Sequence, residues 1–172
     1  MANYLGAKGS QWHNGAYQFP TLEELLEVTE HELRMSAFGY RAKFIVQSAV
    51  HIRSRGGDPW LHQLRGASYD DAWQELTTLP GVGRKIADCI CLFGLGHHEA
   101  VPIDTHIWQQ LTRLYHPNLL GENLTASRYE FASQSFRDRF GEAAGWAHQF
   151  LFEDNVVNGR SRRSDRPSSG VR

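Results

Sequence analysis

The stretch from Leu79 to Ile107, LPGVGRKIADCICLFGLGHHEAVPIDTHI, leaves this chain few alternatives. A Pro-Gly-x-Gly turn opens a helix, Lys85 falls in the first turns of that helix, and Asp104 stands where a second helix should begin. Glycines at 81 and 83 free the backbone of Cβ clashes, so successive N–H groups can point outward at a helix N-terminus, where the dipole favours an anion. The turn, Gly81-Val82-Gly83, reads as a phosphate seat. Cys89 and Phe93 follow Lys85 at i+4 and i+8 and share nearly one face with it. A lysine surrounded by Ile86, Cys89 and Phe93 is expected to be partly desolvated, and desolvation favours a free amine able to attack an electrophilic carbon. Asp104, followed by Thr-His-Ile-Trp, reads as an N-cap whose carboxylate is held in one direction by backbone donors.

Helix signals fill most of the remaining sequence. Residues 1–19 carry no clear periodicity and read as an irregular segment. Thr21 with Glu24, and Thr29 with Glu32, form two capping-box patterns and predict two short helices ending near Gly39. Tyr40 to Arg55 puts Phe44, Ile45, Ala49 and Ile52 on one side and stops at Gly56-Gly57. Asp58-Pro59 starts another helix, with Pro at its first position and Trp60, Leu61 and Leu64 inward. Ser68 with Asp71 caps the next, which runs through Trp73 and Leu76 to the turn, so that the whole reads as helix-hairpin-helix. Ile107, Trp108, Leu111, Leu114 and Tyr115 line a helix after Asp104, and His116-Pro117 ends it. Ser127 with Glu130 caps a helix through Phe131 and Phe136. A last one, Glu142 to Phe152, is expected to bury Ala143, Trp146, Ala147, Phe150 and Leu151. No sustained period-2 alternation appears, so the predicted class is all-α.

Composition excludes several classes. The formal net charge is -1, with 15 Arg and 3 Lys, so affinity for a polyanion has to come from a local patch. Only Cys89 and Cys91 are present; two apart on a helix they diverge, which argues against a disulfide, an iron-sulfur cluster or a structural zinc site. His97, His98 and His106 lack the cysteines or carboxylates that would complete a metal site. With no secretory signal and no apolar run of membrane length, an intracellular protein without membrane contact is expected. Residues 158–172, GRSRRSDRPSSGVR with the preceding asparagine, read as a disordered basic tail, leaving 20–157 as one helical domain.

Taken together, LPGVGRKIADCICLFG and AVPIDTHIW resemble the helix-hairpin-helix and Gly/Pro-Asp loop of the base-excision DNA glycosylases, and within that superfamily the 8-oxoguanine DNA glycosylases most. GYRAKFI at 39–45 and FRDRFGEAAGWAHQFLF at 136–152 resemble segments of the same family in the same order, so the similarity covers about Pro20 to Phe152. The resemblance implies a bifunctional DNA N-glycosylase and AP lyase of base-excision repair, acting on 8-oxoguanine in duplex DNA. It makes Lys85 the nucleophile at C1′, leading to a Schiff base and β-elimination, and Asp104 the carboxylate that stabilises the sugar cation and helps activate the lysine. It places Cys89 and Phe152 on either side of the flipped base, with Phe93 nearby, and His106 at the DNA backbone. Tyr40 becomes a wedge and Arg41 a reader of the orphaned cytosine. The backbone carbonyls of Thr77, Leu79 and Val82 match those holding a monovalent or divalent cation; no other cofactor is implied. A monomer is expected, nuclear in a eukaryote and cytoplasmic otherwise.

Two departures accompany the resemblance. The family's N-terminal β-rich domain and opening glycosylase helices are expected to be missing, an N-terminal truncation that would expose faces they cover. His148 stands where the family usually presents glutamine to the base, which leaves room for excision of a different lesion. Each site residue also has a plainer reading. A helix-hairpin-helix alone is a DNA-backbone module, a lysine in its second helix is commonly a phosphate contact, and Cys89, Phe93 and Phe152 would suit a core. The alternative function is accordingly a catalytically weak or inactive DNA-binding remnant of such a glycosylase.

Overall fold

The computed structural model describes residues 18–153. They are helical with connecting turns, and no strand occurs among them, so the class is all-α as expected. The expected basic tail at 158–172, and the irregular segment up to residue 17, lie outside the described residues. The chain divides into two compact units, residues 1–83 and 84–172.

Among the described residues, the first unit opens with α1 (Leu22–Leu26) and α2 (Glu30–Met35), each too short to persist without help at its ends. Both carry the expected capping box. Thr21 N–H donates to Glu24 Oε2 at 2.7 Å while Glu24 N–H donates to Thr21 Oγ1 at 3.3 Å, and Thr29 with Glu32 repeats the exchange at 2.9 and 3.2 Å. Val28, Leu33, Phe38 and Ala42 form the small core, with Ile45 and Val46 packed against it. α3 (Arg41–Ser54) buries Ala42 and Ala49, whereas Phe44 of its expected apolar face is 37% exposed. α4 (Asp58–Gly66) follows two left-handed glycines, Gly56 and Gly57, so Asp58 takes the first helical position and Pro59 the second. Trp60 and Leu64 point inward, and Leu61 is half-buried. α5 (Tyr69–Thr77) begins at Ser68, whose hydroxyl accepts from Asp71 N–H at 3.2 Å.

The hairpin turn closes this unit. Val82 N–H donates to the Leu79 carbonyl at 3.0 Å, Pro80 leads, and Gly81 has φ +79°, the arrangement of a type II turn. The two glycines differ. A Cβ at Gly81 would lie 2.5 Å from Phe44 Cγ, whereas one at Gly83 would meet nothing within 4 Å and its φ is ordinary. The expected need for glycine at 83 is thus absent from the fold itself. Gly81→Ala should cost about 2 kcal/mol, from left-handed strain and the displaced ring, and Gly83→Ala under about 1 kcal/mol. Urea denaturation of both variants reads the difference; equal midpoints would contradict it.

The second unit begins with α6 (Arg84–Cys89), which continues from Ile90 to Leu95 with π-helical bonding and ends at left-handed Gly96. The widened turn was not expected from the sequence, and a widened turn is a common feature of functional helices. α7 (Thr105–Tyr115) buries Ile107, Trp108, Leu111 and Thr112, whereas Leu114, expected inside, is 51% exposed. A short 3-10 turn, Pro117–Leu119, follows. α8 (Ala126–Phe140) is capped by Thr125, whose hydroxyl accepts from Arg128 N–H at 3.3 Å, rather than by Ser127, and it buries Tyr129, Ala132, Ser133 and Phe136. The cap moves because Thr125 has the extended backbone a cap requires, φ -97° and ψ 171°, and Ser127 is already helical. Phe131 faces outward, 41% exposed.

A 3-10 turn at Gly141–Ala143 leads into α9, residues 144–153. Its inner face differs from the expected one. Ala144, Gly145 and His148 are buried, while Trp146 and Phe150 are 43% and 75% exposed. The physical cause is a close approach at Gly145, whose N–H donates to the His98 carbonyl at 2.8 Å, turning the small side of the helix inward. Val101, Ile103, Ile107, Trp108, Leu111, Tyr129, Ala132, Phe136 and Ala144 make one core under these elements, with Leu151 and Phe152 against it.

Candidate active site

Lys85, Cys89, Phe93, Pro102, Asp104, His148, Gln149 and Phe152 line one concavity of about 160 Å³ in the second unit. Three elements bring them together. α6 and its π-helical continuation supply Lys85, Cys89 and Phe93, the extended segment before α7 supplies Pro102 and Asp104, and α9 supplies the rest. All six residues expected at the catalytic centre and base pocket are therefore on one surface. Asp104 is extended (φ -117°, ψ -179°), and its Oδ1 accepts from Ile107 N–H at 2.9 Å, which fixes the carboxyl as the N-cap of α7.

Lys85 departs from expectation in its surroundings. It is exposed, because Ile86 is 47% and Phe93 55% exposed, so the apolar ring expected around the amine is open. Cys89 is half-buried and its thiol is pushed up, chiefly by burial and further by Asp88 and Asp104, with Lys85 opposing. It is a neutral wall rather than a nucleophile. Cys91 is buried and is pushed up to about 12. Both cysteines are free.

His148 is 5% exposed, and its buried Nδ1 has no hydrogen-bond partner. Burial lowers its pKa from 6.5, and the nearby Gly145 and Pro102 carbonyls and Asp104 offset this only in part. The ring is therefore neutral at pH 7. Because the folded pKa lies below the unfolded one, the unfolded chain binds the extra proton. The native state accordingly loses stability as pH falls from about 6.5 towards the folded pKa. His148→Gln should flatten the fall in urea midpoint between pH 7.5 and 5.5; an unchanged slope would place the acid sensitivity elsewhere.

No family model matches the chain. The N-glycosylase/DNA lyase OGG1 of Arabidopsis thaliana is 44% identical over 138 residues, covering 79% of this chain and 38% of the relative. The N-glycosylase/DNA lyase of Saccharomyces cerevisiae is 30% identical over 165 residues, covering 81% and 44%. The 8-oxoguanine glycosylase/lyase of Clostridium acetobutylicum, solved with double-stranded DNA containing cytosine opposite 8-oxoguanine, matches with a TM-score of 0.78 at 26% identity. That match covers 92% of this chain and 53% of the other. The chain is a homologue of the 8-oxoguanine DNA glycosylases. It has the helix-hairpin-helix glycosylase fold and spans less than half the length of these curated glycosylase/lyase relatives.

Of the other residues expected from the glycosylase resemblance, His106 is exposed in the first turn of α7 and does not line the concavity. Tyr40 is 66% exposed in the first unit, with the Arg41 guanidinium 4.9 Å from its ring centroid. Gly81 and Gly83 are exposed and Val82 is half-buried. Among the carbonyl-bearing residues, Leu79 is buried and its carbonyl accepts from Val82, and Thr77 is half-buried at the end of α5. Sequence reasoning missed Pro102 and Gln149 as lining residues. Gln149 follows His148 directly and carried no separate signal, since one helical residue beside another normally faces elsewhere. Among the described residues no group of three or more His, Cys, Asp or Glu could hold a metal, and no helix is long and apolar enough to cross a membrane.

Proposed function

We propose that this chain carries the chemistry of a bifunctional DNA N-glycosylase/AP lyase that removes an oxidised purine, 8-oxoguanine in the first instance, from duplex DNA. The observation that carries the reading is the placement of a lysine amine and an oriented carboxyl in one concavity with Cys89, Phe93 and Phe152. Chemistry at a nucleotide's C1′ requires the base to leave the stack and enter such a recess. In its free-base form, Lys85 Nζ forms a bond to C1′ as the N-glycosidic bond breaks and the base departs with the bonding pair. Asp104 stabilises positive charge at the sugar carbon. Ring opening gives a Schiff base; loss of a C2′ proton then expels the 3′ phosphate by β-elimination, and water hydrolyses the imine to restore Lys85. The base edge meets His148 and Gln149, the polar part of the wall on α9, and the Gln149 amide carries both a donor and an acceptor.

The hairpin belongs to the same reading as the strand-gripping part. Gly83, open on its Cβ side, leaves room for a phosphate to approach the backbone. The Thr77, Leu79 and Val82 carbonyls are neutral hard oxygens, a donor type suited to a monovalent or divalent cation beside that phosphate, and Leu79 has one lone-pair direction left after Val82. Such an enzyme works where the DNA is, in the nucleus of a eukaryote or the cytoplasm otherwise.

Borohydride trapping on a duplex with one 8-oxoguanine opposite cytosine tests the proposal. A covalent protein–DNA adduct is expected; its absence, together with absence of strand nicking, would overturn it. The exposure of Lys85 favours one second reading, a DNA-binding module without catalysis. That reading predicts equal affinity for damaged and intact duplex and a log-log salt slope of only about three phosphates' worth.

A further inference from the structure

The two catalytic candidates ride on separate backbone segments, Lys85 on α6 and Asp104 at the end of the extended run before α7. One side chain from a third element touches both. Tyr129 of α8 is 7% exposed, and its hydroxyl accepts from Ile103 N–H, the residue before Asp104, at 3.2 Å. The same hydroxyl donates to Oδ2 of Asp88, which is 1% exposed and lies on α6 one turn beyond Lys85. Val101 O, at 3.5 Å, is the more distant acceptor for its single proton. Ser133, one turn further along α8, donates to Val101 O at 3.3 Å. The Arg84 guanidinium sits 5.6 Å from the centroid of the Tyr129 ring and pairs with Glu130.

We infer that Tyr129 is a positioning residue, a buried strut whose hydroxyl ties the Asp104 segment to the Lys85 helix and so sets the amine-to-carboxyl geometry on which the proposed chemistry depends. A phenol suits this task because one oxygen can accept from a backbone amide and donate to a carboxyl at once, while its ring is locked in the core. Ile103 N–H would otherwise be a buried donor seeking another partner. Small displacements of a reacting group have large effects on rate, so the strut's influence should exceed its contribution to stability.

The test compares Tyr129→Phe with Thr112→Val. Thr112 is buried to a similar degree in the same unit, but its hydroxyl bonds only to carbonyls of its own helix, Trp108 and Gln109. Two readouts are used on the intact chain: amide hydrogen exchange at Ile103 and Ile107, and the single-turnover rate of borohydride trapping at saturating lesion duplex. Tyr129→Phe should speed exchange at those amides about tenfold beyond any change at Leu111, and slow trapping about tenfold with affinity for DNA changed less than about twofold. Thr112→Val should do neither. Equal effects of the two variants would overturn the strut, as would loosened amides with an unchanged trapping rate. Should Tyr129→Phe fail to fold, Asp88→Asn probes the other end, where a weaker acceptor should give smaller changes of the same kind. The trapping arm alone rests on the proposed function; if the unaltered chain traps nothing, that reading fails while hydrogen exchange still judges the strut.

Discussion

Lys85→Gln is expected to eliminate the trapped adduct, lowering the single-turnover rate about a thousandfold or more while leaving the fold intact. Glutamine keeps most of the side chain's length but its amide nitrogen cannot attack C1′ or form an imine. The side chain is exposed, so the substitution should change the stability read from urea denaturation by no more than about 0.5 kcal/mol. Loss of activity with retained stability then assigns the effect to chemistry. Binding separates the two functional readings further. If Lys85 is only a phosphate contact, Lys85→Gln should reduce the log-log salt slope by about one. If it is the nucleophile, lesion binding should persist while the covalent step vanishes. An undiminished adduct in the variant would remove Lys85 from the mechanism. The other lysine among the described residues, Lys43, is an exposed residue of α3 in the first unit, outside the concavity.

Local devices were the most legible part of this sequence. A capping box needs only residues three apart, and Thr21-Glu24 and Thr29-Glu32 form one wherever the helices pack. Asp104 is the functional example, since the cap that orients its carboxyl is encoded within four residues. Lys85, Cys89 and Phe93 were likewise legible as one face, because a single element carries them. Long-range geometry was hidden. Nothing in the spacing of Trp146, Ala147 and Phe150 betrays that α9 turns its small residues inward, because that register is set by carbonyls of the 98–100 segment. The exposure of Lys85 was equally out of reach, as it depends on how far Ile86 and Phe93 stand open. Tyr129 carries no signal of its own in the sequence, standing between the helix cap and Phe131. Its role emerges only when Asp88 and Ile103, 41 and 26 residues away, meet at its hydroxyl.

Gly145→Ala should be the most damaging single-methyl change in the second unit. An added Cβ would lie 2.4 Å from the Ala100 carbonyl oxygen, 2.5 Å from Leu92 Cδ1 and 2.8 Å from the His98 carbonyl oxygen. Two of those atoms are backbone, so the clash cannot be relieved by a rotamer change alone, and α9 has to move away or the 98–100 segment has to give. Either motion stretches the 2.8 Å bond from Gly145 N–H to His98 O. Alanine's better helix propensity returns less than about 1 kcal/mol, whereas overpacking a rigid interior typically costs about 3 kcal/mol. The expected net loss is therefore about 2 kcal/mol or more, read as a lower urea midpoint with an unchanged slope. Gly94→Ala calibrates the result: its φ is ordinary and a Cβ there comes no closer than 3.7 Å to Ile90 Cγ2, so it should change stability by less than about 1 kcal/mol. The functional consequence follows from the helix itself. His148, Gln149 and Phe152 stand three, four and seven residues beyond Gly145 on α9, so a displaced helix carries one wall of the recess away from Lys85 and Asp104. Trapping by Gly145→Ala should thus be slowed at temperatures where the chain is still folded. A variant as stable and as active as the parent would mean that the contact at residue 145 does not set the register of α9.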